Sequence, residues 1–159
     1  METWDTYIGN SYLEAKTVEK IYIIAGNEFG DRKGHIIIVA KASYVLWYSV
    51  LWWHERFSNS FRDMVLFMWK LELDIWIRQN GYIYEYIDVY VDDLAIAARY
   101  PKSITDELEN KYKFNLKVTG PISFHFGCDL FRDSNCVLCF VPHKYIDKMF
   151  QTYTWCIPR

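Results

Sequence analysis

From Ile75 to Ala98 the chain reads as strands folded back on themselves at tight turns. Asn80-Gly81 is a strong two-residue hairpin signal. Beyond it the residues alternate: Ile83, Ile87, Val89 and Val91 fall on one face, and Tyr82, Tyr84, Tyr86, Asp88 and Tyr90 on the other. Asp92-Asp93 interrupts the alternation, and Leu94 to Ala98 resumes an apolar strand. Strands joined by turns this short must pair antiparallel. The same pattern puts two adjacent carboxylates at a hairpin tip, where a divalent metal could neutralise them.

The remaining elements are mixed. Lys20 to Ala25 and His35 to Ala40 read as strands around a Gly-rich, charged loop, Gly26 to Gly34. Val50, Trp53, Phe57 and Phe61 recur at helical spacing between Ser49 and Met64. Pro101 ends the acidic hairpin unit, Ser103 is a candidate N-cap with Asp106 three residues on, and a helix follows to about Tyr112. Gly120-Pro121 marks a turn. Phe124 to Leu130 and Val137 to Val141 form a second hairpin around Asp133-Ser134-Asn135, and Pro142-His143-Lys144 opens a last helix. Strands, helices and tight turns in this order predict an α+β fold within a single domain over residues 1–159.

At 159 residues the chain can bury a real core, and 52% hydrophobic with 19% aromatic content argues against disorder. A formal net charge of −2 gives no global attraction to a polyanion. Any nucleic acid must be held by a local patch or by metal ions. Met1 to Asp5 lacks the basic and apolar regions of a secretory leader. Cys128, Cys136, Cys139 and Cys156 are therefore expected in a reducing intracellular compartment, cytoplasmic or nuclear. The longest apolar stretch, Ile36 to Trp53, is broken by Lys41, Ser43 and Ser49 and reads as a strand-to-helix turn, with no membrane partner expected.

Paired carboxylates at a turn suit Mg²⁺, which takes oxygen ligands and often only one or two protein carboxylates, with substrate phosphates completing the octahedron. Two such ions stabilise the attacking and leaving oxygens of phosphoryl transfer. A two-ion site asks for a third carboxylate from another strand.

The run Tyr90-Val91-Asp92-Asp93-Leu94-Ala95-Ile96-Ala97 resembles the active-site hairpin of reverse transcriptases of Ty1/copia-type retrotransposons. Other segments resemble the same family in the same order. Gly9 to Ala15, followed by Glu19 to Tyr22, is similar to its first catalytic motif. Lys41 to Leu46, followed by Trp53-His54, is similar to its lysine-serine-leucine-tyrosine-glycine-leucine segment. Phe124 to Asp129 resembles the strand that holds the primer end, and Lys144 to Met149 the helix after it.

The resemblance implies a polymerase palm: an antiparallel sheet with packed helices, here with incomplete fingers and thumb. It implies RNA-directed DNA synthesis with two Mg²⁺ ions, a primed RNA or DNA template, deoxynucleoside triphosphates, and derivation from a Gag-Pol polyprotein. Asp92 and Asp93 are the implied catalytic, metal-binding carboxylates. Tyr12 stands where the family keeps an aromatic against the sugar of the incoming nucleotide. Tyr90, Phe126 and Gly127 are implied to lie near the primer.

This copy departs from the family pattern. The family's first motif carries an Asp where this chain has Tyr7. A phenol, with an ordinary pKa near 10, supplies no carboxylate at pH 7. Asp5 would share a face with Tyr7 on a strand, about 6–7 Å along it. A glycine of the second segment is Val45, and Trp47 and Tyr48 replace small polar or basic residues. Asp88 takes a position usually apolar or small. These departures predict a decayed copy with little or no activity. Two other readings arise from the residues. One is a non-catalytic relic that binds nucleic acid or a partner through Arg99, Lys102, Lys111, Lys113 and Lys117, interleaved with Tyr100, Tyr112 and Phe114. The other is a small zinc module built from His125, Cys128, Cys136, Cys139 and His143, although cysteines in apolar strands ordinarily behave as small hydrophobes.

Overall fold

The computed structural model describes residues 1–153, with the side chains at 118–119 left aside; Cys156 lies outside the described residues. The strands are β1 (Glu2–Ile8), β2 (Lys16–Ile24), β3 (Ile36–Lys41), β4 (Phe67–Met68), β5 (Ile75–Asn80), β6 (Ile83–Tyr90), β7 (Asp93–Ala98), β8 (Leu116–Pro121), β9 (Phe124–His125), β10 (Cys128–Arg132) and β11 (Leu138–Val141). The α-helices are α1 (Ser49–Asp63), α2 (Pro101–Asn110) and α3 (His143–Tyr153). Short 3₁₀ turns cover Ser11–Glu14 and Asn27–Arg32, the second inside the expected loop.

Six strands form the main sheet in the order β4-β5-β6-β7-β1-β8, each pairing in it antiparallel. A smaller sheet runs β11-β10-β9, and β2-β3 is a separate ribbon. The mixture of helices with antiparallel sheet is the expected α+β class. The register also bears out the alternation read from the sequence. Ile87 pairs with Ile96 and Val89 with Leu94, all buried, while Asp88 pairs with Ala95 and Tyr90 with Asp93 on the opposite face.

On the apolar face, α1 and α2 close the core. Trp53, Phe57 and Phe61 follow each other at every fourth residue of α1, with ring centroids 5.1 Å and 4.3 Å apart. Phe61 meets Trp76 of β5 at 5.1 Å, and Phe114 packs edge-on against both Trp53 and Phe57. Ile104 and Leu108 add the buried stripe of α2 over Leu94, Ile96 and Ile8. Full burial of such side chains contributes roughly 1.5–3 kcal/mol each.

The β5–β6 hairpin turns at Gly81-Tyr82, one residue later than expected, because Asn80 pairs with Ile83. Gly81 takes φ +65°, the conformation that Gly supplies at the first central position of such a turn. The expected strand over 124–130 is interrupted: His125 pairs with Cys128, and both Phe126 and Gly127 take positive φ, so a tight type I′ turn separates β9 from β10. Pro101 begins α2 rather than ending the preceding unit, since a proline at the first helical position loses no helical hydrogen bond. Ser103 lies inside α2 and donates to the Tyr100 carbonyl instead of capping. β4 and β8 lack a clean alternation and carry no strand expectation, while β1 was expected only as the strand that would set Asp5 and Tyr7 on one face; Gly120-Pro121 closes β8.

One buried ion pair ties the hairpin to the core. Glu85 is 1% exposed, accepts from Arg78 Nε at 2.7 Å, and accepts from Asn80 Nδ2 and the Arg99 main-chain N–H. Arg78 also donates to the Met64 carbonyl. Burial would raise the Glu85 pKa, but these hydrogen bonds outweigh it and hold it below the ordinary value of 4.5. A depressed carboxylate contributes stability that is present above 4.5 and lost as pH falls through the lower folded value. Glu85→Gln should therefore cost about 2–4 kcal/mol at pH 7 in urea unfolding. It should also flatten the loss of stability that the unmodified chain shows between pH 5 and pH 3. Equal acid sensitivity in both chains would refute this role.

Candidate active-site hairpin

The acidic dipeptide sits at the β6–β7 turn, and its two residues are placed differently. Tyr90 pairs with Asp93, so Val91 and Asp92 form the turn itself, and Asp93 is the first residue of β7. Asp93 therefore shares a face with Asp88 and Tyr90, and Asp92 lies in the turn. Val91 adopts φ +56°, which costs a β-branched residue on the order of 1–2 kcal/mol. Two hydrogen bonds hold the turn against that cost. Trp53 Nε1 donates to the Val91 carbonyl at 2.9 Å, and the Ile8 N–H donates to the Asp92 carbonyl at 2.8 Å.

β1 lies directly beside β7. Tyr7 is the register partner of Asp93, and Asp5 that of Ala95. Tyr7 therefore occupies the position from which a third carboxylate would reach the pair. Asp5 follows two residues along on the same face, between Ala95 and Gly120. Burial raises the Asp5 pKa, its own main-chain N–H and His125 oppose this, and Asp93 adds to it. Burial likewise raises Asp92, reinforced by the neighbouring charge of Asp93.

A cleft of about 500 Å³ opens between this hairpin and the Ser123–Gly127 segment. Asp93, Tyr90, Phe126 and Gly127 all line it, together with Asp5, Tyr7 and His125. Tyr90 meets Phe126 edge-on, with ring centroids 4.8 Å apart. Tyr12 does not line this cleft; its ring lies 4.5 Å from Tyr44 and packs on the edge of the core. Asp5, expected to share a face with Tyr7, does line the cleft with it. His125, weighed only as a zinc ligand, joins the same wall from a distant turn, as do Thr6, Leu94 and Ser123, which carried no site signal in the sequence.

Two carboxylates suit one Mg²⁺ whose shell substrate phosphates complete, and a second ion needs a further carboxylate. The register offers the Tyr7 phenol in that place. Among the described residues, no three His, Cys, Asp or Glu side chains converge where an ion could be held. That statement covers His125, Cys128, Cys136, Cys139 and His143: the three cysteines are free, Cys128 is buried and Cys136 exposed. In the basic stretch, Lys102 pairs with Asp106 and Lys111 with Glu107, so two of its five cations are already matched. No helix of the described residues is long and apolar enough to cross a membrane.

If Val91 is strained, relaxing it should stabilise the protein. Val91→Gly should raise unfolding stability by about 1 kcal/mol in urea titration. Trp53→Phe, which removes the N–H while keeping an aromatic ring, should lower it by about 1 kcal/mol. A neutral Val91→Gly would mean that the turn carries no strain.

A family model described as reverse transcriptase (RNA-dependent DNA polymerase) matches residues 4–156. No curated protein matches the chain, and no solved structure does. The match spans nearly all of the sequence, so the chain belongs to the reverse transcriptase family, as its ordered motifs imply.

Proposed function

We propose that this member of the reverse transcriptase family is a Ty1/copia-type polymerase palm in which nucleotidyl transfer has been lost or nearly lost. One observation supports the reading above all: Tyr7 stands opposite Asp93 across β1 and β7. A bound Mg²⁺ would supply Lewis-acid stabilisation of the phosphoryl oxygens. Asp92 and Asp93 are the residues that would hold it, with the triphosphate of the incoming deoxynucleotide as co-ligand.

On this reading residues 1–159 form one palm-type domain derived from a Gag-Pol polyprotein. Its substrates are a primed RNA or DNA template and deoxynucleoside triphosphates. Tyr90, Phe126 and Gly127 would lie along the primer side of the cleft; Tyr12, whose implied role is to face the nucleotide sugar, packs against Tyr44 outside the cleft lining. The Tyr7 phenol contributes bulk at the point where the second ion would be ligated. Asp88 adds negative charge that a substrate phosphate must overcome. Localisation in the cytoplasm or nucleus follows from the same lineage.

Primer extension on an RNA template with Mg²⁺ tests this directly. The unmodified chain should give no product above background. Tyr7→Asp should raise incorporation at least about tenfold, since removing or restoring one transition-state contact changes the barrier by 1.4 kcal/mol or more. Robust synthesis by the unmodified chain would sink the proposal.

A further inference from the structure

One half of the open sheet face stays apolar and uncovered. Phe67 of β4, Ile77 of β5 and Tyr86 of β6 stand in register across three strands, on the face opposite α1 and α2. With Trp69, Ile75 and Tyr84 they line a groove of about 440 Å³. The small sheet reaches this face at Ile75 and Tyr86 through His125, Leu130 and Leu138. Beyond that line, Phe67, Trp69 and Tyr84 stay 49%, 43% and 48% exposed. The loop from β4 to β5 closes beside them, with the Trp69 N–H donating to the Ile75 carbonyl at 2.8 Å. It adds Leu71 and Leu73, 87% and 60% exposed.

The exposed area matches what a stable interface needs. Half-covered aromatic side chains leave roughly 100 Å² each in water, so Phe67, Trp69, Tyr84 and Tyr86 together leave roughly 300–450 Å². That equals the largest apolar patch of an ordinary monomer before the two leucines are added. An interface of standard size takes about 800 Å² from each partner, a little over half of it apolar. The aromatic groove with Leu71 and Leu73 supplies that apolar share. The molecule as a whole agrees: its accessible surface is 11427 Å². A compact monomer of its mass exposes about 8,400 Å². The six residues beyond the described ones could supply at most about 1,000 Å² of the excess.

Charge decides the partner. Lys70, Glu72 and Asp74 alternate with Leu71 and Leu73 in the loop. All three are exposed, and none forms an ion pair among the described residues. A partner of one charge sign would meet like charge somewhere along this loop. A second copy turned about a twofold axis instead sets Lys70 of each chain against Glu72 and Asp74 of the other, and groove against groove. We propose that this face is the interface of a twofold homodimer, with the aromatic groove as its core and the charged loop as its rim. The face shares no lining residue with the cleft at the acidic turn. The dimer goes beyond the polymerase reading and stands whether or not the chain extends a primer.

Sedimentation velocity of the intact chain at pH 7, without nucleic acid, tests the proposal. A monomer–dimer equilibrium with a Kd of about 10 µM or tighter is expected. Leu71→Asp should weaken it at least about tenfold while far-ultraviolet circular dichroism stays unchanged. Lys70→Glu makes the loop wholly acidic, and Glu72→Lys with Asp74→Lys makes it wholly basic. Each of these variants alone should stay monomeric, and the two mixed should form a mixed dimer. Hydrogen exchange of the unmodified chain needs no variant to fold: amides within 67–75 and 84–86 should gain protection as concentration rises through the Kd. A monomer up to about 200 µM, some twentyfold above the expected Kd, would overturn the interface. So would a dimer indifferent to Leu71→Asp, charge variants that do not pair when mixed, or protection confined to other segments. Because no readout uses synthesis, failed primer extension leaves the proposal untouched.

Discussion

Two main-chain carbonyls fix where the acidic turn stands. The Val91 carbonyl accepts from the Trp53 indole and the Asp92 carbonyl from the Ile8 N–H, so the turn is fastened at once to the aromatic core and to the neighbouring strand. Trp53 is held in turn by Phe57 and Phe114, and Phe57 by Phe61. Packing in the helical layer therefore sets the height of the hairpin over the sheet. A strained φ at a β-branched residue persists only when its surroundings over-determine it, and these bonds provide that. The consequence is positional: the two carboxylates are presented on a support fastened to both the core and β1.

The two faces of the main sheet have different physical problems. One face is apolar and closed by α1 and α2; its single buried charge, Glu85, is satisfied by Arg78, Asn80 and the Arg99 N–H. The other face carries Asp5, Asp88 and Asp93 with no comparable partners. Burial raises Asp5, and it raises Asp92 in the turn beside it. A raised carboxylate pKa means that the folded state resists ionisation, so at neutral pH Asp5 and Asp92 weaken rather than support folding. The buried charge of Glu85 is offset by hydrogen bonds, and no such set of donors surrounds Asp5, Asp88 or Asp93 among the described residues.

Local patterns were readable where one period dominates a segment. The Trp53, Phe57 and Phe61 stripe of α1, the alternation of β6 through Val89 and the strand of β7 are each set by burial on one side, so the residues spell the face; Val50 and Val91, expected on the same faces, are exposed. Where reversal intervenes, local alternation no longer gives the face, and it is Asp93 that joins Asp88 and Tyr90 beyond the Val91–Asp92 turn. Phe124 to Leu130 looks like one strand because its residues favour extended structure, and only the positive φ at Phe126 and Gly127 breaks it. β1 was legible only through its motif, since Thr3 to Ile8 mixes polar and aromatic residues on both faces. The pairing of Tyr7 with Asp93 depends on which strands become neighbours, a long-range outcome that no local period encodes. The contribution of His125 to the cleft has the same origin.

That pairing gives the Tyr7 position its meaning. A carboxylate there would be a third negative charge beside Asp93, costly to assemble unless divalent ions balance it. A phenol removes that repulsion and adds an aromatic wall next to Tyr90. What the structure fixes is the register: whichever side chain follows Thr6 on β1 is set against Asp93, so its chemistry decides whether that carboxylate meets a second charge or an aromatic ring.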